Sequence, residues 1–454
     1  MSTSGSNIRT DASDLATWVS ESANGVFVKE STSLLKKGIW LFFFLWVFEG
    51  ALRKWILPTF SMPLLVVRDP VALWLIVVAL KRGLLKTNVY LFGIATIGIA
   101  GFFIALFIGH GSFWTAIYGA RTLLLYFPLI FVIGRIFNQD DVVRLGRLML
   151  LIAIPMTILL AFQFYSPQSA WVNRGVGGDE QGAGFGGALG YFRPPGTFSF
   201  TNGTTCFYTL VAPFVMFFWI NQERINKAIL LAASAALVVA IPLSISRGMF
   251  LQVAVSVIFL LIAISNKPKY FSKVVSASLV VVMALVFLGN VSFFKTATEA
   301  FTARFEGANE FEGGLVKGVL GNRFLGSLLH GLSGSVNNEV FGFGIGSGTP
   351  LGAKLLNDDR IALLADFEWI REVGELGLLG LFLILLRVGL SLKMGIASYR
   401  KIRTNDFLPW LLMSVGLLIV SQGQLHQPTA LGFVSLSGGL WLASLNSTIQ
   451  DTSK

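Results

Sequence analysis

A scatter of arginines and one short acidic run carry most of the chemistry that this chain could do. Arg121 lies in Tyr118-Gly119-Ala120-Arg121-Thr122, Arg193 in Tyr191-Phe192-Arg193-Pro194-Pro195, Arg247 in Ser244-Ile245-Ser246-Arg247-Gly248, and Arg323 after Gly321-Asn322. Arg371 belongs to the acidic run Asp366-Phe367-Glu368-Trp369-Ile370-Arg371-Glu372. A guanidinium is the side chain best shaped to hold phosphate, because its planar fork makes two parallel charge-assisted hydrogen bonds. On a helix, Glu368, Arg371, Glu372 and Glu375 would share one face. Glu368 or Asp366 is the kind of group that takes a proton from an attacking hydroxyl. Trp369 offers a flat apolar face for a sugar ring, and His426 with Gln424 could join such a cavity. Each has a plainer reading: an internal ion pair for Arg121, with Glu49 as partner; an interfacial, snorkelling Arg247; a surface-loop Arg193; a solvated helix start held by local ion pairs for the acidic run; and a structural hydrogen-bond partner for His426.

The elements that must position these residues are apolar helices. Of 454 residues, 54% are hydrophobic and 13% charged, against about 25% charged in soluble domains. Mean hydropathy is +0.71, too apolar for a surface in water. Runs of the roughly 20 apolar residues needed to cross a bilayer lie near 38–57, 64–81, 88–109, 113–134, 146–164, 203–220, 227–245, 248–265, 273–294, 374–396, 406–424 and 429–446. The fold class expected is therefore an all-α polytopic membrane protein of about twelve spans. Arg68-Asp69-Pro70 interrupts the second span, and Gln422, Gln424 and His426 crowd the last two. Residues 1–36 are polar, lack the apolar core of a cleaved signal peptide, and read as a cytoplasmic tail. Spans one to nine then occupy 37–294, with a loop at 165–202; a larger loop fills 295–373; spans ten to twelve occupy 374–446; and 447–454 form a second tail.

The net charge of +11 would suggest nucleic acid in a soluble protein. Here the basic residues cluster in alternate connections, at Lys81-Arg82-Lys86, Arg135-Arg144-Arg147, Arg224-Lys227, Lys267-Lys269-Lys273 and Lys393-Arg400-Lys401-Arg403. That pattern is an orientation signal placing these loops and both termini in the cytoplasm. The two long loops then face outward, with Arg53, Lys54, Arg68 and the arginines above. Outward arginines at membrane depth suggest an anionic head group, most simply a lipid diphosphate. The glycines of Phe341-Gly342-Phe343-Gly344-Ile345-Gly346-Ser347-Gly348 lack the strand–helix context of a nucleotide loop and are expected to form a tight turn near a substrate. The single cysteine, Cys206, excludes an intramolecular disulfide, and no Cys/His cluster has zinc spacing.

In this setting the chain resembles the bacterial O-antigen ligase and O-antigen/exopolysaccharide polymerase superfamily. Arg193-Pro194-Pro195-Gly196-Thr197-Phe198-Ser199 with Asn202 resembles its Arg…Gly-Thr-Phe…Asn element. Ser246-Arg247-Gly248 resembles its Ser-Arg-Gly element. Arg323 followed by Phe341-Gly342-Phe343-Gly344 resembles its large periplasmic loop, and Glu375-Leu376-Gly377-Leu378-Leu379-Gly380 its Glu-Leu-Gly-Leu-x-Gly. The match covers roughly residues 190–385, and Gly50-Ala51-Leu52-Arg53-Lys54-Trp55 resembles a subset of exopolysaccharide polymerase-like proteins. The resemblance implies a GT-C-type glycosyltransferase of the bacterial inner membrane. Such an enzyme works without metal, cofactor or nucleotide sugar and moves an undecaprenyl-diphosphate-linked glycan to an acceptor hydroxyl. Direct attack on the anomeric carbon needs no covalent intermediate, so inversion is expected. The resemblance also implies that Arg193, Arg247 and Arg323 hold the diphosphate.

Ligases of the superfamily carry a His about nine residues before the Glu of Glu-Leu-Gly; here Asp366-Phe367 occupies that place, which favours a polymerase. The expectation is a polysaccharide polymerase with Glu368 or Asp366 as base and with Arg193, Arg247, Arg323, Arg121, Arg371, Trp369 and His426 around the substrate. Partners expected are the lipid-linked oligosaccharide, the bilayer, and the flippase and chain-length or export proteins of such a pathway, with no nucleic acid. A ligase acting on lipid A core or protein, a transporter of lipid-linked oligosaccharide, and a noncatalytic assembly partner are the rivals.

Overall fold

The computed structural model describes residues 29–86, 88–265, 292–312, 340–356 and 368–446, with the single positions 270, 275, 282 and 286. It is 77% helical and has no strand among the described residues; the one extended pairing is an isolated bridge between Gly186 and Phe192. The protein is thus an all-α membrane protein. The helices are α1 (Lys29–Ala51), α2 (Asp69–Lys81), α3 (Val89–Phe107), α4 (Phe113–Ile136), α5 (Gln139–Tyr165), α6 (Thr201–Ile220) and α7 (Lys227–Leu243). They continue with α8 (Arg247–Ile264), α9 (Ser292–Glu312), α10 (Pro350–Leu356), α11 (Glu368–Leu376), α12 (Leu378–Ile402), α13 (Leu408–Gln422) and α14 (Pro428–Ser444).

Among the described residues, 7 helical segments are long and apolar enough to cross a membrane: Pro63–Lys81, α3, α4, α5, α6, α8 and α12. The apolar α7 and α13 are shorter. Helix is present at every expected span; of 273–294 the described positions are 275, 282, 286 and 292–294, all helical. Large apolar side chains remain on the outside, among them Phe92, Phe103 and Phe107 on α3 and Phe382 and Leu385 on α12. In water such a face would aggregate; against lipid it is the appropriate surface.

Local sequence sets the helix ends. Asn88 caps α3 by accepting from Leu91 N, and Asn138 with Asp141 forms a reciprocal capping box on α5. The Arg68-Asp69-Pro70 interruption is a junction: a 3-10 turn at Pro63–Val66 gives way to α2, with Pro70 in the first turn, where its missing N–H costs nothing. Two helices carry π turns, Leu52–Ile56 after α1 and Thr122–Tyr126 within α4. The segment expected to begin an outer loop at 295 is helical to Glu312, and this α9 packs on α7 and α8.

The core gathers around Trp46 of α1. Its ring stacks on Phe433 of α14 at 5.6 Å and touches Phe198 and Phe207, while its indole N–H donates to Thr429 O at 3.0 Å. α14 lies against α4 and α13, α6 against α8 and α13, and α12 against α13 and α3. The glycine-rich stretch 341–348 is buried packing rather than a free turn. Phe343 N and Gly344 N donate to Gly374 O and Glu375 O at 2.8 and 2.9 Å, and Ile345 O meets His110 Nε2 at 3.2 Å. Gly342, Gly344 and Gly346 have positive φ, and a Cβ on Gly346 would stand 2.2 Å from Thr115 O. Only glycine fits between α3, α4 and α11 here.

Candidate functional site

A cavity of about 400 Å³ that joins Arg193 and Arg247 opens where α6, α8 and α14 begin and α13 ends. Arg193, Arg247 and Arg304 line it, with Thr201, Asn202, Thr205 and Ser246 beside them and Gln422, Gly423 and Gln424 across from them. Ile419, Ala430, Phe433 and Val434 make an apolar wall. The first turns of α6 and α8 lie on the lining at Thr201 and Arg247, and that of α14 at Ala430. No side chain caps α6 or α14, so uncapped N–H groups and positive helix ends add to the three guanidiniums. Burial, then the like charges of Arg304 and Arg247, press the Arg193 guanidinium below its ordinary pKa. Arg193 Nε is buried with no partner, and so is Asn202 Oδ1.

Each wall is clamped from behind. Arg193 is carried by the 194–199 segment, whose Gly196 N donates to Gln163 Oε1 at 2.8 Å and whose Gly196 O accepts from Lys54 Nζ at 2.6 Å. Thr197 Oγ1 donates to Val47 O at 2.6 Å. Arg53 reaches Ser199 Oγ at 2.9 Å and Glu49 at 3.1 Å, and a Cβ on Gly50 would meet the Phe198–Ser199 backbone at 2.3 Å. The Gly50-Ala51-Leu52-Arg53-Lys54-Trp55 motif is therefore the brace of the Arg193 segment. Arg247 is set by the α7–α8 turn, where Ile245 holds φ 48°. That is a rare conformation for a β-branched residue and characteristic of functional turns.

The opposite wall is tied to α11 and α12. Glu368 accepts from Arg371 Nη2 at 2.6 Å, Leu425 N at 3.0 Å and His426 Nδ1 at 3.0 Å, and Arg387 Nη1 stands 3.5 Å away. Arg371 also bonds Glu375 at 2.6 Å, and Glu375 Oε1 accepts from Gly348 N at 2.8 Å. Arg387 pairs with Glu372 and donates to Val420 O and Gly423 O at 2.9 Å each. Trp369 Nε1 donates to Ser421 O at 2.9 Å. The connector from α13 to α14, which supplies Gln424 to the cavity, is thus held by α11 and α12 side chains.

Of the residues selected from sequence, Arg193 and Arg247 come together on the cavity. Glu368, Trp369, Arg371 and His426 also come together, but they are buried behind the connector and do not line it. Glu368 is occupied on both oxygens, and Trp369 has no ring face open for a sugar. Arg121 is elsewhere: it pairs with Asp69 at 2.5 Å and lies 3.8 Å from the Tyr118 ring centroid, whereas Glu49, its expected partner, binds Arg53 and Arg68. Arg323 and Asp366 lie outside the described residues. Arg304 and Arg387 were not singled out. A charge in the middle of an apolar span was available as a signal for Arg387; nothing in sequence distinguished Arg304. Among the described residues no three His, Cys, Asp or Glu side chains gather as a metal would need. Comparison with protein-family models, curated proteins and solved structures returns no match for this chain.

Proposed function

We propose that the protein is a membrane glycosyltransferase of the GT-C kind, with about twelve spans, that polymerises a bacterial cell-surface polysaccharide. Its donor is a glycan on a polyprenyl diphosphate, and transfer takes place on the outer face of the inner membrane. The observation that carries this reading is the cavity in which Arg193, Arg247 and Arg304 meet helix N-termini on one side and apolar side chains on the other. Such a site suits a ligand with a multiply charged head and a hydrocarbon tail. The resemblance in sequence supplies the reaction. The arginines stabilise charge developing on the leaving diphosphate, and an acceptor hydroxyl attacks the anomeric carbon as its proton passes to a base. Glu368 is too fully engaged to be the first choice as that base, which leaves Asp366 as the carboxylate proposed for it.

The test is purified protein in nanodiscs with a native lipid-diphosphate repeat unit, product length being read on a gel. A ladder that disappears in Arg193→Ala and Arg247→Ala is expected; a normal ladder from both folded variants would overturn the donor site. Transfer only after lipid A core is supplied would indicate a ligase.

One observation favours a second reading, transport of the same lipid-linked glycan. α4 is interrupted in mid-span by the π turn Thr122–Tyr126, beside the intramembrane pair Asp69 and Arg121, to which Tyr126 also donates. Broken helices and internal charges are common in transporters. Movement of a fluorescent lipid-linked glycan across protein-containing liposomes, with no bond formed to any acceptor, would select that reading.

A further inference from the structure

Two buried polar atoms on the cavity residues lack partners, and they are of opposite character. Arg193 Nε is a cationic donor, whereas Asn202 Oδ1 is a neutral acceptor. Asn202 sits in the first turn of α6, and its amide Nδ2 is already committed to Gln427 Oε1 at the entrance to α14. If both amides were turned over, Asn202 would present an unpaired donor in place of an unpaired acceptor; in either setting one polar atom is left over. Hydroxyls share the lining with it: Thr201, then Thr205 Oγ1 and Ser246 Oγ, 3.0 Å apart. The lining therefore combines three kinds of group: the three arginines, the apolar Ile419 and Phe433, and the neutral polar Asn202 with its neighbouring hydroxyls.

An anion satisfies the first and a hydrocarbon chain the second. As the amides are set, a bare phosphate or lipid diphosphate offers only acceptors and would leave Asn202 Oδ1 buried and unpaired, the situation that polar sites discriminate against most strongly; with the amides turned over, a phosphate oxygen would serve the leftover N–H. A hydroxyl serves it in either amide setting, because it both donates and accepts. We infer that Asn202, held by Gln427, is a specificity-determining residue that reads a hydroxyl of the first sugar attached to the diphosphate, so that the site selects glycosylated over unglycosylated lipid diphosphate. This rests on the proposed donor site and adds to it the part of the ligand that is recognised beyond its charge.

The experiment is calorimetric titration of the full-length protein in nanodiscs with two probes, a short-chain polyprenyl diphosphate and the same compound carrying one hexose. The expected result is roughly tenfold tighter binding of the hexosylated probe by the wild type, and a ratio near one in Asn202→Ala. Gln427→Ala, which removes the amide's anchor, is expected to lower the ratio as well and serves where Asn202→Ala does not fold. A ratio within one variant is insensitive to general loss of stability. Binding of both probes with equal affinity by the wild type would overturn the role of Asn202 while leaving the anion site standing. Failure of both probes to bind would overturn the anion site and the inference together. A hexose advantage that survives in Asn202→Ala, or in Gln427→Ala where that variant stands in for it, would overturn the inference alone.

Discussion

At the scale of the residue, the strongest division is between charges that face a cavity and charges that hold a wall. Glu368 belongs to the second kind. Its carboxylate is the shared acceptor of Arg371 and His426, with Arg387 close by, all of them buried. Removing it leaves Leu425 N and His426 Nδ1 without their acceptor and takes one of two carboxylates from Arg371, which keeps Glu375, so Glu368→Ala should lower stability by about 2–3 kcal/mol, read as a fall in the unfolding temperature of the detergent-solubilised protein. Trp369→Phe removes one indole hydrogen bond to Ser421 O and should cost only about 1 kcal/mol. Equal melting of Glu368→Ala and wild type would end the anchoring account. Cys206 gives an independent probe of the cavity that it lines. Being the chain's single cysteine, it should react with a small maleimide more slowly when a lipid diphosphate is present, and an unchanged rate would place the ligand elsewhere. Arg193 and Arg247 were legible because short motifs carry them. The function of Glu368 was not, since its partners Leu425 and His426 are 57 and 58 residues away and no local pattern reports them.

At the scale of the element, the 341–348 glycines behave as a spacer between helices. A Cβ on Gly119 would stand 2.4 Å from Gly346 N, and Gly346 itself has φ 91°. Gly346→Ala combines a clash with backbone strain and should cost at least about 2–3 kcal/mol, seen as lower folded yield on size-exclusion chromatography. Gly307→Ala in α9 meets nothing within 4 Å and should be neutral or stabilising by up to about 1 kcal/mol. A reversed order of these two variants would refute the packing role. The glycines were visible in sequence as a tight turn, and the structure adds that this turn is packed against α3, α4 and α11. Glycine spacing looks alike whether the approaching group is a ligand or another backbone, and only the neighbouring α3 and α4 decide. The extent of α9 was hidden for a different reason: from Lys295 onward it is mixed in polarity, so the hydropathy signal stops near its start.

At the scale of the whole molecule, the spans were the most legible feature, because hydropathy over about 20 residues needs no tertiary information. The orientation proposed from loop charge can be checked directly. Green fluorescent protein joined after Lys454 should fluoresce, and alkaline phosphatase inserted near Gly184, whose surroundings are open, should be active. Dark and inactive fusions respectively would invert the topology and move the arginine cavity to the cytoplasmic side. The pairing of distant charges was beyond sequence reasoning at this scale. Sequence alone offered Glu49 as the partner of Arg121 and set Arg53 and Arg68 on the outer face; the actual partition, Glu49 with Arg53 and Arg68, and Asp69 with Arg121, depends on how α1, α2 and α4 meet.

The π turn in α4 has a consequence for register. Such a turn holds one residue more than the regular helix around it, and each residue of an α-helix advances the direction of its side chain by about 100°. Deleting one residue from 122–125 would remove the one the wide turn had absorbed, so the helix would close regularly with its two halves still facing as before, and Arg121 and Tyr126 still turned toward Asp69. A deletion in the regular part of α4 has no such turn to give it up, and everything before it would be rotated by that angle against everything after it. The wide turn is thus a place where α4 can lose a residue without turning one half of the bundle against the other.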